Sequence, residues 1–270
     1  MAEDVEIGLS PPEPHSKKQA LIMQAFRMGG LKEIYIACGT KFGKSIAASV
    51  SMAMAAAERP GTKWRWIAPI YEQAKIGMDY FRPILPPKPH TEIQKSTMRI
   101  ELPMIGTEIK FWHTKDPVSL EGAGIHGNIH DEAAKQPYEA VVSARTTTTF
   151  TRGPSMYIST PFGKNWFYNG CMEAKEQMEW ELRNERAPTK IFLTARTEDN
   201  PFVGKDIIEQ ARKDLPKRMF DQYYNAEFLD DGSVFTGVRD CLYGEELDLH
   251  GSFQSAAVKE AKQLEVVVGS

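Results

Sequence analysis

At 270 residues, with 41% hydrophobic and 26% charged side chains, the sequence has room for one large globular domain and a small appendage. A net charge of −3 excludes a protein coated in basic surface, although it leaves open a local groove that follows a phosphate backbone. The three cysteines, Cys38, Cys171 and Cys241, lie far apart with no CxxC pair, so a reducing intracellular setting is expected rather than a disulfide framework or a zinc site.

Residues 1–15 carry Pro11, Pro12 and Pro14 and no apolar h-region, which predicts a flexible lead-in without a secretory signal. No stretch approaches the ~18 apolar residues that read as a membrane span. Ser16 to Arg27 predicts a helix with Ala20, Leu21, Met23 and Phe26 on its apolar side, stopped at Gly29-Gly30. A strand from Glu33 to Ala37 leads through a loop into a helix from Lys44 to Glu58. A second strand, Trp64 to Ala68, and a helix from Glu72 to Phe81 follow, before a break from Pro83 to Pro89. This alternation predicts a parallel sheet with helices on its faces. Thr97 to Leu102 and Thr107 to His113 alternate apolar and polar residues around Met104-Ile105-Gly106, an antiparallel hairpin that extends one edge of the sheet. Gly127 to His130, Met156 to Ser159 and Ile191 to Ala195 predict three more short strands. Beyond Asn200-Pro201 the pattern turns helical, over Gly204 to Leu215 and Lys217 to Glu227 with Pro216 between them. Ala256 to Leu264 reads as a short exposed helix or as tail.

The loop after the first strand reads CGTKFGKS, Cys38 to Ser45. Its Gly43-Lys44-Ser45 ending is that of the phosphate-binding pattern GxxxxGK[ST], with Cys38 where the first glycine belongs. In a strand-loop-helix setting the backbone amides point at phosphates, Lys44 supplies positive charge and Ser45 ligates Mg²⁺. Cysteine is small enough for the tight turn, and Gly39 adds freedom. A second motif ends a later strand, where Asp131 and Glu132 stand side by side in HGNIHDE. In a nucleotide hydrolase the first acid holds Mg²⁺ and the second orients the attacking water. Ser159-Thr160-Pro161 ends another strand, where the hydroxyls either sense the γ-phosphate or form an ordinary Thr-Pro turn. Phe162 to Tyr168 is either a base-stacking surface or, the commoner use of such spacing, a helix packed on the core. His126 and His130, four apart on a strand, have no clear third ligand and read as sheet-face histidines.

In this order the motifs resemble the ATPase portion of the large terminase subunit, the DNA-packaging motor of tailed bacteriophages. The resemblance runs from about Pro14 to Phe235: Pro14-His15 with Gln19 is similar to an adenine-contacting lead-in, WIAPIYEQA to the second-strand motif, GNIHDEAA to the Walker B segment. ISTPFGKNWFY, Ile158 to Tyr168, is the most specific match, resembling the motif that couples hydrolysis to movement. The resemblance implies an α/β fold of the P-loop NTPase (ASCE/RecA-like) type, a mainly parallel sheet flanked by helices with a small helical lid subdomain. The boundaries that go with it are a lead-in over 1–15, an ATPase core over 16–198, lid and linker over 199–245 and a tail over 246–270.

It implies ATP and Mg²⁺, bound through Gln19, Gly39, Thr40, Lys41, Phe42, Gly43, Lys44, Ser45, Ser159 and Thr160, with Ser45 and Asp131 on the metal and Glu132 and Lys44 catalytic. Where many terminases carry an arginine in the phosphate loop this chain has Thr40 and Lys41, and Glu121 stands where some have an arginine acting on a neighbour's ATP. A trans-acting arginine is therefore sought at Arg145 or Arg152. The implied partners are double-stranded DNA, the procapsid portal, the small terminase subunit and further copies in a ring, in the host cytoplasm, with no membrane and with a separate nuclease chain left open. No RNase H-like nuclease segment is recognised, so DNA cleavage by this polypeptide is not expected. The competing readings are a helicase-like DNA-dependent ATPase and a nucleotide-binding fragment that does not hydrolyse.

Overall fold

The computed structural model describes residues 7–115 and 124–230. Glu121, the helix or tail over Ala256 to Leu264, and the linker and tail past residue 230 lie outside the described residues.

Eight strands form one sheet. They are β1 (Glu33–Cys38), β2 (Lys63–Ala68), β3 (Glu92–Gln94), β4 (Arg99–Leu102), β5 (Thr107–His113), β6 (Gly127–Asp131), β7 (Ser155–Ser159) and β8 (Lys190–Ala195). Their spatial order is β3-β4-β5-β2-β6-β7-β1-β8. The six from β5 to β8 run parallel, while β3 and β4 add antiparallel at one edge. The predicted hairpin is therefore β4 and β5, at the predicted place, and the sequence reading missed only the three-residue edge strand β3.

Helix α1 (Lys17–Gln24) packs on α2 (Lys44–Ala57), and α3 (Tyr71–Asp79) lies against β2 and β5. On the opposite face, α4 (Tyr138–Thr146) covers β6 and α5 (Trp166–Arg183) covers β1 and β8. Alternation along β1 divides its side chains between the layers: Ile34, Ile36 and Cys38 join the α1/α2 core, while Tyr35 and Ala37 join that of α5. Because both faces are covered, the inner strands read as continuous apolar runs. In α2 the run of alanines keeps the helix thin enough to lie buried between α1 and the sheet.

Neither α4 nor α5 was predicted as a full helix. The signal for α5 was present, since its buried positions Phe167, Cys171, Ala174, Met178 and Glu181 recur at spacings of three and four. In α4 the nine residues include two valines, poor helix formers whose place is decided by packing of Ala140, Val141 and Ala144. Two last helices, α6 (Lys205–Asp214) and α7 (Lys217–Tyr223), are joined through Leu215 and Pro216 and bury little beyond Ile208 and Phe220.

Residues 7–15 correct the expected flexible lead-in. Ile7 is buried, Leu9 packs on the core and the Ser10 amide donates to the Ile84 carbonyl at 2.8 Å. The prolines prevent a helix there, but an extended chain still packs and bonds.

Candidate functional site

The carboxyl ends of β1, β2, β6, β7 and β8 open on one edge of the sheet, where ligands bind in parallel α/β folds. The strand leading to the loop and the strand ending in the acids are not neighbours. Between them lies β7, with Ala37 opposite Ser159 and Asp131 opposite Ile158. That arrangement brings Thr160 to Lys44, which also meets Glu132.

Cys38 pairs with Ala195 as the last residue of β1, and its backbone is not left-handed. The first position of the motif therefore does not require glycine here. The thiol is fully buried, which pushes its pKa up to about 12 and keeps it protonated and inert. Gly39 is the position that tolerates no side chain: a Cβ there would stand 2.5 Å from the Tyr224 carbonyl and 2.7 Å from Thr197 Oγ1. Three bonds from beyond β8 hold the loop from outside. The Thr40 amide donates to the Tyr223 carbonyl (2.6 Å), Thr197 Oγ1 donates to the Thr40 carbonyl (2.7 Å), and Asn200 Nδ2 donates to the Lys41 carbonyl (2.7 Å). Lys41, at φ 60, points into solvent, and Gly43, at φ 96, makes the turn into α2. The first amides of α2 have no carbonyl of the helix behind them, which makes this end an anion cradle.

Gln19 is buried beside that turn, with its Nε2 only 2.7 Å from the point a Gly43 Cβ would occupy. Its Oε1 accepts from the His15 amide at 2.9 Å. The His15 ring lies 2.8 Å from the Phe42 carbonyl through Nε2 and edge-on to both Phe42 and the exposed Phe202. The Phe42 ring itself is sealed in the core, so this residue meets the site through its backbone.

Lys44 Nζ stands 3.3 Å from Thr160 Oγ1 and 3.5 Å from Glu132 Oε1. Ser45 Oγ donates to Asp131 Oδ1 at 3.1 Å, and the same oxygen accepts from the Glu132 amide at 3.1 Å. The Ser159 hydroxyl donates instead to the Thr160 carbonyl at 2.8 Å and is fully buried, so it shapes the strand end. Glu132 adopts left-handed φ 50, ψ 45, a strained choice for a residue with a side chain, costing on the order of 1 kcal/mol or more. Its Oε2 lies 3.1 Å from Lys135 Nζ without the angle of a hydrogen bond.

Burial, and then the charge of Glu132, push the Asp131 carboxyl up to about 6; Lys44 and Ser45 work in the opposite direction. A buried carboxylate beside a hydroxyl, both hard oxygen donors, suits Mg²⁺, whose octahedral ligands at ~2.0–2.1 Å stand ~3 Å from one another. The residues present therefore fit that ion. Behind the acids, His130 stacks on Tyr157 and shares a 2.8 Å contact with Gln136 Oε1. Burial lowers its pKa to about 4, so the ring stays neutral.

The structure does not bring Arg145 or Arg152 to this edge. Arg145 pairs with Glu33 at 2.7 Å and donates to the Tyr157 hydroxyl at 3.1 Å, at the amino end of β1. Its guanidinium is thus paired within its own chain, with the side chain still partly exposed. Arg152 is exposed in the turn before β7, also at the amino end. Of the aromatic run, Phe167 is fully buried and Trp166 and Tyr168 pack on the α5 core, so the core reading prevails there; only Phe162 is exposed. The sequence reading missed Thr197, Asn200 and Gln136. Asn200-Pro201 was legible as a turn, but nothing local says which carbonyl its amide meets.

A family model described as "Terminase large subunit, T4likevirus-type, N-terminal" matches residues 36–238. The terminase large subunit of Thermus virus P23-45 is 30% identical over 230 residues, which cover 75% of this chain and 47% of that protein. The chain thus spans about half the length of that relative. The large terminase ATPase domain of Thermus phage P74-26 superposes with a TM-score of 0.62 at 26% identity, covering 77% of this chain and 93% of that domain. The fold is also that of the large terminase of the thermophilic bacteriophage D6E in complex with ATP-gamma-S, with a TM-score of 0.62, 16% identity and coverage of 79% of this chain and 53% of that one.

Proposed function

The chain belongs to the terminase large-subunit family, and from that membership we propose that it is an ATPase motor, hydrolysing ATP to move double-stranded DNA into a procapsid. The observation that carries this reading is the meeting of Lys44, Ser45, Thr160, Asp131 and Glu132, from three separate strand ends, within 3.1–3.5 Å contacts of one another. A solved relative of the same fold binds ATP-gamma-S.

In this reading the helix amides and Lys44 take the β- and γ-phosphates, and Ser45 and Asp131 hold Mg²⁺. The metal supplies charge neutralisation on the phosphate oxygens when bound. Gln19 and His15 line the base side. When phosphate arrives, the Lys44 ammonium turns to it and releases Glu132, whose carboxylate then accepts a proton from the attacking water. Thr160 moves with Lys44 and reports the loss of the γ-phosphate, and the Thr197 and Asn200 bonds carry loop movement to α6 and α7. A ring of copies on the portal, a small-subunit partner and the host cytoplasm follow from family membership, with a separate nuclease chain left open. If an arginine acts across the ring, exposed Arg152 is the better placed of the two. Among the described residues no helix is long and apolar enough to cross a membrane.

The test is ATP turnover per mole of chain over a range of protein concentrations with linear duplex DNA, beside Glu132→Gln. Turnover that rises with concentration and falls by ~10²–10⁴-fold in the variant supports the assignment. Hydrolysis unchanged in Glu132→Gln sinks it, and nucleotide bound without turnover at any concentration favours a non-hydrolysing binder.

A further inference from the structure

Glu132 is left-handed without being glycine, and such a conformation persists only where its surroundings impose it. Its own segment supplies little: a single 3-10 turn, Ala133–Lys135, with the Lys135 amide donating to the Glu132 carbonyl (2.9 Å) and the Gln136 amide to that of Ala133 (3.0 Å). The remaining restraints come from side chains. Gln136 Nε2 donates to the Asp131 carbonyl at 2.8 Å and to the Ile67 carbonyl at 3.0 Å, which ties the turn back to β6 and β2. Asn165 Nδ2 donates to the Ala134 carbonyl at 2.6 Å, and Trp166 Nε1 donates to the Gln136 carbonyl at 2.8 Å.

These last two stand where the connection from β7 enters α5, Asn165 as its cap and Trp166 as its first residue, and the same connection begins with Thr160 against Lys44. Each is itself held firmly. Asn165 Oδ1 accepts from the Phe167 amide (3.0 Å) and so caps α5, and the Trp166 ring packs against Tyr138 and Tyr157. The carbonyls they take lie two and four residues past Glu132, so the turn that follows it is pinned at its middle and just past its end by one element.

We propose that Asn165 and Trp166 are positioning residues that hold Glu132 in its water-activating pose through the Ala134 and Gln136 carbonyls. They thereby make that pose depend on the connection that touches Lys44. The proposal rests on the reading of Glu132 as the group that activates water. A side chain held a fraction of an ångström out of place loses much of its rate effect while leaving substrate binding intact.

The test separates the capping of α5 from the pinning of the turn. Asn165→Ser keeps a capping oxygen but is too short to reach Ala134, and Trp166→Phe keeps the ring but removes the donor. Each is measured for kcat, for affinity towards ATP-gamma-S, for melting temperature, and for hydrogen exchange at the Lys135 and Gln136 amides. The expected result is a fall in kcat of about tenfold in each variant, with ATP-gamma-S affinity within twofold and faster exchange at the two amides. Asn165→Asp, which also caps but brings a charge, should lose at least as much. A kcat within twofold of the wild type overturns the proposal, as does a fall in kcat matched by an equal loss of affinity or by general melting. If the wild type shows no turnover, the ATPase reading fails separately and exchange decides: unchanged protection in both variants overturns the pinning itself.

Discussion

At the amino end of the sheet, Glu33 gives one carboxylate oxygen to Arg145 at 2.7 Å and the other to Lys190 at 3.0 Å. At the carboxyl end, Lys44 stands 3.5 Å from Glu132 and 3.3 Å from Thr160, longer than the 2.7–2.9 Å of a tight charge-assisted bond. Both ends pair an acid with bases, but the first does so more tightly. The second holds a buried ammonium with its side-chain contacts at 3.3 and 3.5 Å, a strained glutamate and an aspartate pushed up to about 6. The contrast separates two charge clusters that residue type alone cannot tell apart.

Four substitutions bear on that contrast, from the largest expected effect to the smallest. Lys44→Ala should weaken nucleotide binding by about a hundredfold or more, since the lysine makes charge-assisted contacts to phosphate. Its melting temperature should stay within a few degrees, because the lysine has no tight protein partner to lose; a fluorescent-nucleotide titration and a thermal melt check the two halves. A large drop in melting temperature with binding retained would erase the distinction between the ends.

Glu33→Gln should do the reverse. It leaves Arg145 and Lys190 without their shared anion and is expected to cost about 1–2 kcal/mol, a few degrees of melting temperature, with turnover within twofold. Arg145→Ala sharpens the point. If it abolishes turnover at high concentration while the fold survives, Arg145 acts across the ring and not only in its own charge cluster.

Cys38→Gly is the smallest. It restores the usual first glycine of the motif but removes a fully buried side chain at a position with an ordinary strand backbone, so stability should fall by about 1 kcal/mol with no gain in affinity. Tighter nucleotide binding would mean that the cysteine impairs the loop.

The strand-loop-helix around Cys38 to Ser45, the acids ending β6 and the hydroxyls ending β7 were legible because each is a local pattern: an apolar run of known period followed by residues whose chemistry suits a strand end. The order of those strands was not. That β7 lies between β1 and β6 is a matter of long-range pairing, and it alone brings Thr160 to Lys44. Nor could the sequence show that the closely approached glycine is Gly39, because the obstructing atoms belong to Thr197 and Tyr224, more than 150 residues away.

What the sequence determined by itself is therefore the alternation of strands and helices, the chemistry offered at each strand end and the family those motifs belong to, all set by local spacing and residue type. Tertiary structure alone decided which charges pair tightly and which at longer reach, and which distant side chains hold the backbone of Glu132. Hydrogen bonds and ion pairs form between atoms that meet in space, and no spacing along the chain encodes that Asn165 would reach Ala134 or that Glu33 would claim Arg145.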